Sequence, residues 1–113
     1  MGEKSLSLIK GTLDLLILKA LSTGEKHGYA VSEWLEEVTD GRLLLEEDTL
    51  YPALHRLERR RLIAAEWGLS DNNRRAKYYR LTSAGTQRLT QEATKWNDYS
   101  EAVEKALAEE GAT

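Results

Sequence analysis

Apolar residues recur at the spacing of an α-helix through the first third of the chain. Residues 11–21 form the first such segment, and its stripe consists of Leu13, Leu16, Ile17, Ala20 and Leu21. Leu15 and Leu18 lie on a second side, so this helix needs two apolar neighbours. A polar connection at residues 22–28 contains two glycines and leads into a second predicted helix over residues 29–39.

Residues 48–61 show a more one-sided pattern, after a short apolar run at residues 42–45 that is compatible with a brief strand. At 100° per residue the apolar face consists of Leu50, Ala53, Leu54 and Leu57. Pro52 must lie in the first turn of the helix, which therefore begins near Glu47 or Asp48 with a carboxylate as N-cap. The outward side chains are Asp48, Pro52, His55 and Arg59, with Tyr51 and Arg56 beside them. Such a face suits the DNA major groove, and the alternative is a solvated helix surface.

Strand-like alternation replaces the helical pattern after this segment. Residues 62–67 and 74–81 are two predicted strands, and residues 68–73 between them are rich in turn formers. The tip and return strand of this hairpin carry Arg74, Arg75 and Lys77, where DNA phosphates or a minor groove would lie. Three helices followed by a basic hairpin predict a mainly α fold with a small β-hairpin wing (α+β), a winged helix-turn-helix DNA-binding domain over residues 1–82.

A long final helix is predicted from Thr82 or Ser83 to about Ala108. At 1.5 Å per residue it spans about 40 Å, too long to be covered by so small a body. Its apolar positions are Leu89, Ala93, Trp96, Val103 and Leu107, with Tyr99 nearby. Leu89, Trp96 and Val103 are spaced seven apart, which favours a helix-on-helix seam over intramolecular core. Residues 83–113 are therefore predicted to be a homodimerisation helix.

Charge is distributed unevenly along the 113 residues, whose net charge is −3. Residues 55–80 hold eight Arg or Lys and three acids, whereas the rest of the chain holds eight bases and sixteen acids. A basic segment in an acidic chain favours a double-stranded DNA partner, although such charges also simply solvate surfaces.

The composition also excludes several classes of protein. The chain has no cysteine, which rules out disulfides and cysteine-based zinc sites, and its two histidines make no convincing metal site. We expect no cofactor and no enzymatic activity, because no nucleophile–base constellation or phosphate loop is present. No signal pattern or membrane-length apolar run occurs, so we expect a cytoplasmic protein without membrane contact.

The motifs in these segments resemble the PadR family of bacterial transcriptional regulators. The resembling segments are residues 10–18 (KGTLDLLIL), 27–29 (HGY), 49–58 (TLYPALHRLE) and 74–85 (RRAKYYRLTSAG). The resemblance implies a homodimeric repressor that binds a palindromic operator and is released by a small molecule or another signal. It also implies the branch with a single C-terminal dimerisation helix, and it adds Thr49 to the candidate DNA contacts Tyr51, His55, Arg59, Arg74, Arg75 and Lys77.

Two departures from the family pattern, and one match to a branch of the family, bear on function. His55 stands where the family often has Lys, so base preference does not transfer, and Arg61 stands where Gly commonly ends the third helix. Trp96 lies where a multidrug-sensing branch stacks planar aromatic drugs, which makes Trp96 and Tyr99 a possible site for a small aromatic ligand. The alternative for Trp96 is an apolar interface anchor. One alternative function is therefore a ligand sensor. The other is a winged-helix protein-interaction module without DNA binding.

Overall fold

The computed structural model describes residues 6–9 and 11–111, and over these residues it contains four helices and three strands. The helices are α1 (Leu13–Ser22), α2 (Gly28–Val38), α3 (Glu47–Arg59) and α4 (Ser83–Ala108). The strands are β1 (Lys26–His27), β2 (Ile63–Leu69) and β3 (Arg75–Leu81). The predicted α+β winged helix-turn-helix is confirmed. Lys10 of the first resembling segment and the outer ends of the two predicted domains lie outside the described residues.

The core lies between α1, α2, α3 and the base of the sheet. The whole predicted stripe of α3 is fully buried, as are Ile17, Leu18 and Ala20 of α1. Because α1 packs against α4 as well as against α2 and α3, its two apolar sides both find neighbours, as expected. In residues 6–9 and 11–111, no helix is both long enough and apolar enough to cross a membrane.

The sheet is antiparallel, with β3 between β1 and β2. The hairpin of β2 and β3 is the predicted wing, although β2 continues two residues beyond its predicted end. The prediction of a brief strand at residues 42–45 is wrong. That segment forms no strand, and its Leu45 side chain is buried in the core. The third strand is instead β1, inside the predicted polar connection, where Lys26 and His27 pair with Tyr79 and Tyr78.

The helix ends lie within two residues of their predicted positions. Thr82 caps α4 as predicted, since its hydroxyl accepts a hydrogen bond from the Gly85 amide at 3.0 Å. His27 caps α2, with its Nδ1 accepting from the Ala30 amide at 3.2 Å. α3 begins at Glu47 as predicted, but the N-cap residue Glu46 makes no side-chain capping bond. Glu47 and Asp48 in the first turn still stabilise α3, because their negative charges lie at the positive end of its helix dipole.

Candidate nucleic-acid interface

The outward face of α3 presents the predicted DNA-contacting side chains in a row. Tyr51, His55 and Arg59 are exposed and spaced by four residues, so they lie above one another on the helix. Thr49 is exposed in the first turn, on a different side from this row, and lines a shallow pocket with Asp14 and Arg56. Because the opposite face of α3 is fully buried, the body of the protein fixes the rotation of this helix.

The tip of the wing is held in shape by Ser70. Its amide donates to the Arg74 carbonyl at 2.7 Å, and its carbonyl accepts from the Asn73 amide at 2.9 Å. Asn73 adopts a left-handed conformation (φ 64°), which asparagine tolerates better than most residues. Arg74 is exposed at this tip, so its side chain projects from a defined backbone.

Arg75 and Lys77 lie on the same face of β3 as the buried Tyr79, because side chains alternate along a strand. Lys77 is engaged within the protein: its ammonium lies 3.1 Å from Glu58 of α3 and 5.6 Å from the centre of the Tyr79 ring. The Arg75 guanidinium lies 4.8 Å from the centre of the Trp67 ring. The Arg80 guanidinium lies 4.0 Å from Glu66 on the neighbouring strand.

A groove of about 790 Å³ separates the wing from the helices. The aromatic and basic side chains that line it are His27, Tyr29, Tyr51, His55, Trp67, Arg74, Arg75, Lys77 and Tyr79. Glu33 and Asp71 also reach the groove, so it is not uniformly basic. The structure therefore brings Tyr51 and His55 of α3 and the wing cations to the two sides of one cleft, whereas Arg59 does not line it.

The ring of Tyr51 packs against the backbone of Gly28. A Cβ atom at Gly28 would lie 2.7 Å from this ring, so a larger residue there would force the Tyr51 side chain to move. Burial, and then the negative charge of Glu47, raise the pKa of the Tyr51 phenol. Its hydroxyl therefore remains protonated near neutral pH, able both to donate and to accept a hydrogen bond.

Sequence reasoning missed the contributions of Gly28, Tyr29 and Trp67 to the groove. The segment 27–29 had been singled out only for its family resemblance, and Trp67 only as part of a strand. An aromatic residue directly across a hairpin from Lys77 was the available signal for Trp67. No local pattern could have placed Gly28 under Tyr51, because the two residues belong to different helices.

A second, smaller groove of about 250 Å³ lies between the start of α1 and α4. Its lining includes Leu15, Glu92, Trp96 and Tyr99. Trp96 and Tyr99 are the two residues predicted from the sequence as contacts for a small aromatic ligand. The apolar stripe of α4 divides here: Leu89 is half-buried against the core and Ala93 is half-buried, whereas Val103 and Leu107 are exposed.

A helical body with an amphipathic third helix and a basic hairpin beside it defines a winged helix-turn-helix of the kind found in DNA-binding regulators. The profile of the "Transcriptional regulator PadR-like family" matches residues 17–91. The chain therefore belongs to the PadR family of transcriptional regulators, as its motifs indicated, and family members are regulators rather than enzymes.

Solved structures of similar proteins agree with this assignment. A transcriptional regulator from Clostridium thermocellum is 32% identical, with a TM-score of 0.78 over 86% of this chain and 94% of its own. A PadR-like regulator from Bacillus cereus is 30% identical, with a TM-score of 0.77 over 89% of this chain and 96% of its own. An uncharacterised protein from Lysinibacillus sphaericus is 34% identical over 86% of this chain and 89% of its own length. The protein is thus a DNA-binding transcriptional regulator.

Proposed function

We propose that the protein is a cytoplasmic homodimeric repressor that binds a pseudo-palindromic operator and releases it in response to a small molecule or another signal. The observation that carries this proposal is the cleft between α3 and the wing, which has exposed Tyr51 and His55 on one side and Arg74 and Arg75 on the other. Arg59 is exposed farther along the same face of α3. A helix of this kind fits a major groove, and the flanking cations reach the adjacent phosphates.

The shape of α4 supports dimerisation, since this helix has 26 residues and extends past the body. Tyr99 and Leu107 are exposed at 65% and 79%, and Val103 at 37%. Pairing this helix with a second copy removes that apolar surface from water. A two-fold axis there places two α3 helices to read two half-sites, so we assign residues 1–82 to DNA and residues 83–113 to dimerisation.

Neutralising the wing arginines tests the DNA assignment. We expect Arg74→Gln with Arg75→Gln to weaken binding to a duplex from the protein's own promoter. The slope of log affinity against log salt should fall by about 1.8, because each phosphate contact releases about 0.9 counterion. Arg88→Gln in α4 is the matched control, since Arg88 lies near Glu92 on that helix at 4.0 Å.

Unchanged affinity and salt slope in the double variant would show that the wing does not contact DNA. If the parent protein binds no duplex even at low salt, the protein-interaction module becomes the better account.

The groove between α1 and α4 favours a second role as a sensor of planar aromatic compounds. Trp96 and Tyr99 offer ring faces for stacking, and Glu92 in the same groove lies 3.8 Å from the ammonium of Lys95. We expect such a compound to quench the fluorescence of the parent protein and of a Trp67→Phe variant, whereas a Trp96→Phe variant should lose most of the response. Equal quenching in Trp96→Phe and in the parent would contradict the sensor role.

A further inference from the structure

Two cations of β3 lie over aromatic rings on the groove-facing side of the wing. The Lys77 ammonium lies over Tyr79, two residues closer to the body on the same strand. The Arg75 guanidinium lies 4.8 Å from the centre of the ring of Trp67, which is the cross-strand partner of Lys77. Both basic side chains therefore lean along the strand toward the body and α3.

The two cations differ in what else holds them. Lys77 also has the carboxylate of Glu58 at 3.1 Å, whereas within the described residues Arg75 has no ion-pair partner. The indole of Trp67 is thus the group that restrains the Arg75 side chain. Trp67 is 57% exposed, so it stays at this surface without the burial that usually explains a tryptophan.

We propose that Trp67 is a positioning residue for DNA binding, whose indole face holds the Arg75 guanidinium at the edge of the groove. An arginine on an exposed hairpin samples many rotamers and loses that freedom when it binds a phosphate. A guanidinium stacked on an indole has already lost part of this rotamer freedom. The N–H groups at the edge of the guanidinium nevertheless still point outward to acceptors. This inference rests on the proposed DNA-binding role of the wing.

Arg74 provides an internal comparison on the same wing. It is exposed at the hairpin tip, and in residues 6–9 and 11–111 its side chain makes no ion pair or aromatic contact. The proposal therefore requires that loss of the indole weaken the contribution of Arg75 and leave that of Arg74 unchanged.

Stacking is measured first in the protein without DNA. We expect the side-chain protons of Arg75 to be shifted upfield in NMR spectra by the indole ring current, and those of Arg74 to lie near ordinary values. A Trp67→Leu variant should remove the shift, and a Trp67→Tyr variant should retain part of it. Ordinary Arg75 shifts in the parent protein overturn the proposal.

A double-mutant cycle then measures the coupling to DNA, with a labelled mixed-sequence duplex of about 30 base pairs at about 50 mM salt as the probe. The Arg75→Ala substitution should lower DNA affinity in both backgrounds. The factor by which it lowers affinity should be about two- to fivefold smaller in the Trp67→Leu background than in the parent. The effect of Arg74→Ala should be the same in both backgrounds.

Equal effects of Arg75→Ala in the two backgrounds overturn the proposal and assign any loss in Trp67→Leu to contacts that Trp67 makes itself. They leave the DNA-binding function intact. Failure of the parent protein to bind both this duplex and the promoter duplex at low salt overturns the proposed function and this inference with it, whereas the NMR shifts still report whether the indole and guanidinium stack.

Discussion

Arg61 adopts a left-handed backbone conformation (φ 62°) immediately after α3. Its amide donates to the Glu58 carbonyl at 2.9 Å, and the Leu62 amide donates to the Leu57 carbonyl at 3.1 Å. These two bonds form a Schellman motif, in which the left-handed position is usually glycine. The turn therefore forms at a residue whose side chain is strained in this conformation.

An Arg61→Gly variant should raise the free energy of unfolding by about 0.5–1 kcal/mol. Glycine removes the steric cost of the left-handed conformation, and its greater freedom in the unfolded chain offsets part of that gain. Urea denaturation measures the change. Arg60→Gly is the control with the same loss of charge, and it should lower stability because Arg60 has an ordinary φ of −82°. A loss of stability in Arg61→Gly would contradict the strain argument.

Gly85 sets how closely the first turn of α4 approaches the end of α3. A Cβ atom there would lie 1.9 Å from the Leu62 carbonyl oxygen, so the backbone itself would have to move. We expect Gly85→Ala to lower the midpoint of thermal unfolding, with a loss of about 1–3 kcal/mol typical of overpacking. The exposed Thr86→Ala should leave the midpoint nearly unchanged. A Gly85→Ala variant as stable as the parent would show that this junction is loosely packed.

At the scale of elements, the wing is tied to α3 by the ion pair of Lys77 and Glu58. Both side chains are partly buried. Glu58 belongs to α3 and Lys77 to β3, so the pair joins two elements that the folding of the hairpin brings together. The pair holds the strand against the helix, but it also engages a cation that we place near phosphates. We therefore expect Glu58 to compete with DNA for Lys77.

A Glu58→Gln variant should bind DNA more tightly than the parent by a few fold, and its salt slope should be steeper by up to about 1. The substitution frees the Lys77 ammonium and removes a negative charge from the wing–helix contact, while costing at most about 1 kcal/mol of stability. Fluorescence anisotropy at several salt concentrations measures both quantities. Glu66→Gln is the control on the other face of the wing, where Glu66 is 74% exposed. Weaker binding by Glu58→Gln would mean that the pair orients the wing rather than competing with DNA.

At the scale of the whole molecule, α4 gives the protein an elongated shape of 61 × 38 × 21 Å. Its first half packs against α1 and the core, and its second half carries exposed apolar side chains away from the body. The shape fits a molecule whose DNA-binding end and self-association end are separate, which is the division that we propose.

A Val103→Asp variant tests that division. Two unpaired carboxylates would be buried at a two-fold seam, so we expect self-association to weaken by at least about tenfold. Sedimentation velocity over a range of concentrations measures it. Thr94→Asp introduces the same charge about half a helical turn away in phase, on the opposite face of α4, and should leave self-association unchanged. A Val103→Asp protein that still sediments as the parent does would place the interface elsewhere.

The sequence by itself determined the elements that are encoded by residues close together in the chain. The stripe of α3 and its start near Pro52 follow from helical periodicity and from the missing amide of proline. The hairpin follows from a cluster of turn formers between alternating segments, and Thr82 is a cap that a short motif specifies. In each case, residues within about one or two turns of one another carry the signal.

Tertiary structure decided the features in which distant residues meet. Lys26 and His27 are too short a segment to form a strand until Tyr78 and Tyr79 pair with them. Residues 42–45 have strand-like composition, but burial of Leu45 uses that segment as part of the core. The stacking of Arg75 on Trp67 joins two strands. A linear pattern records which side chains share a face, whereas the packing of one element on another selects their partners.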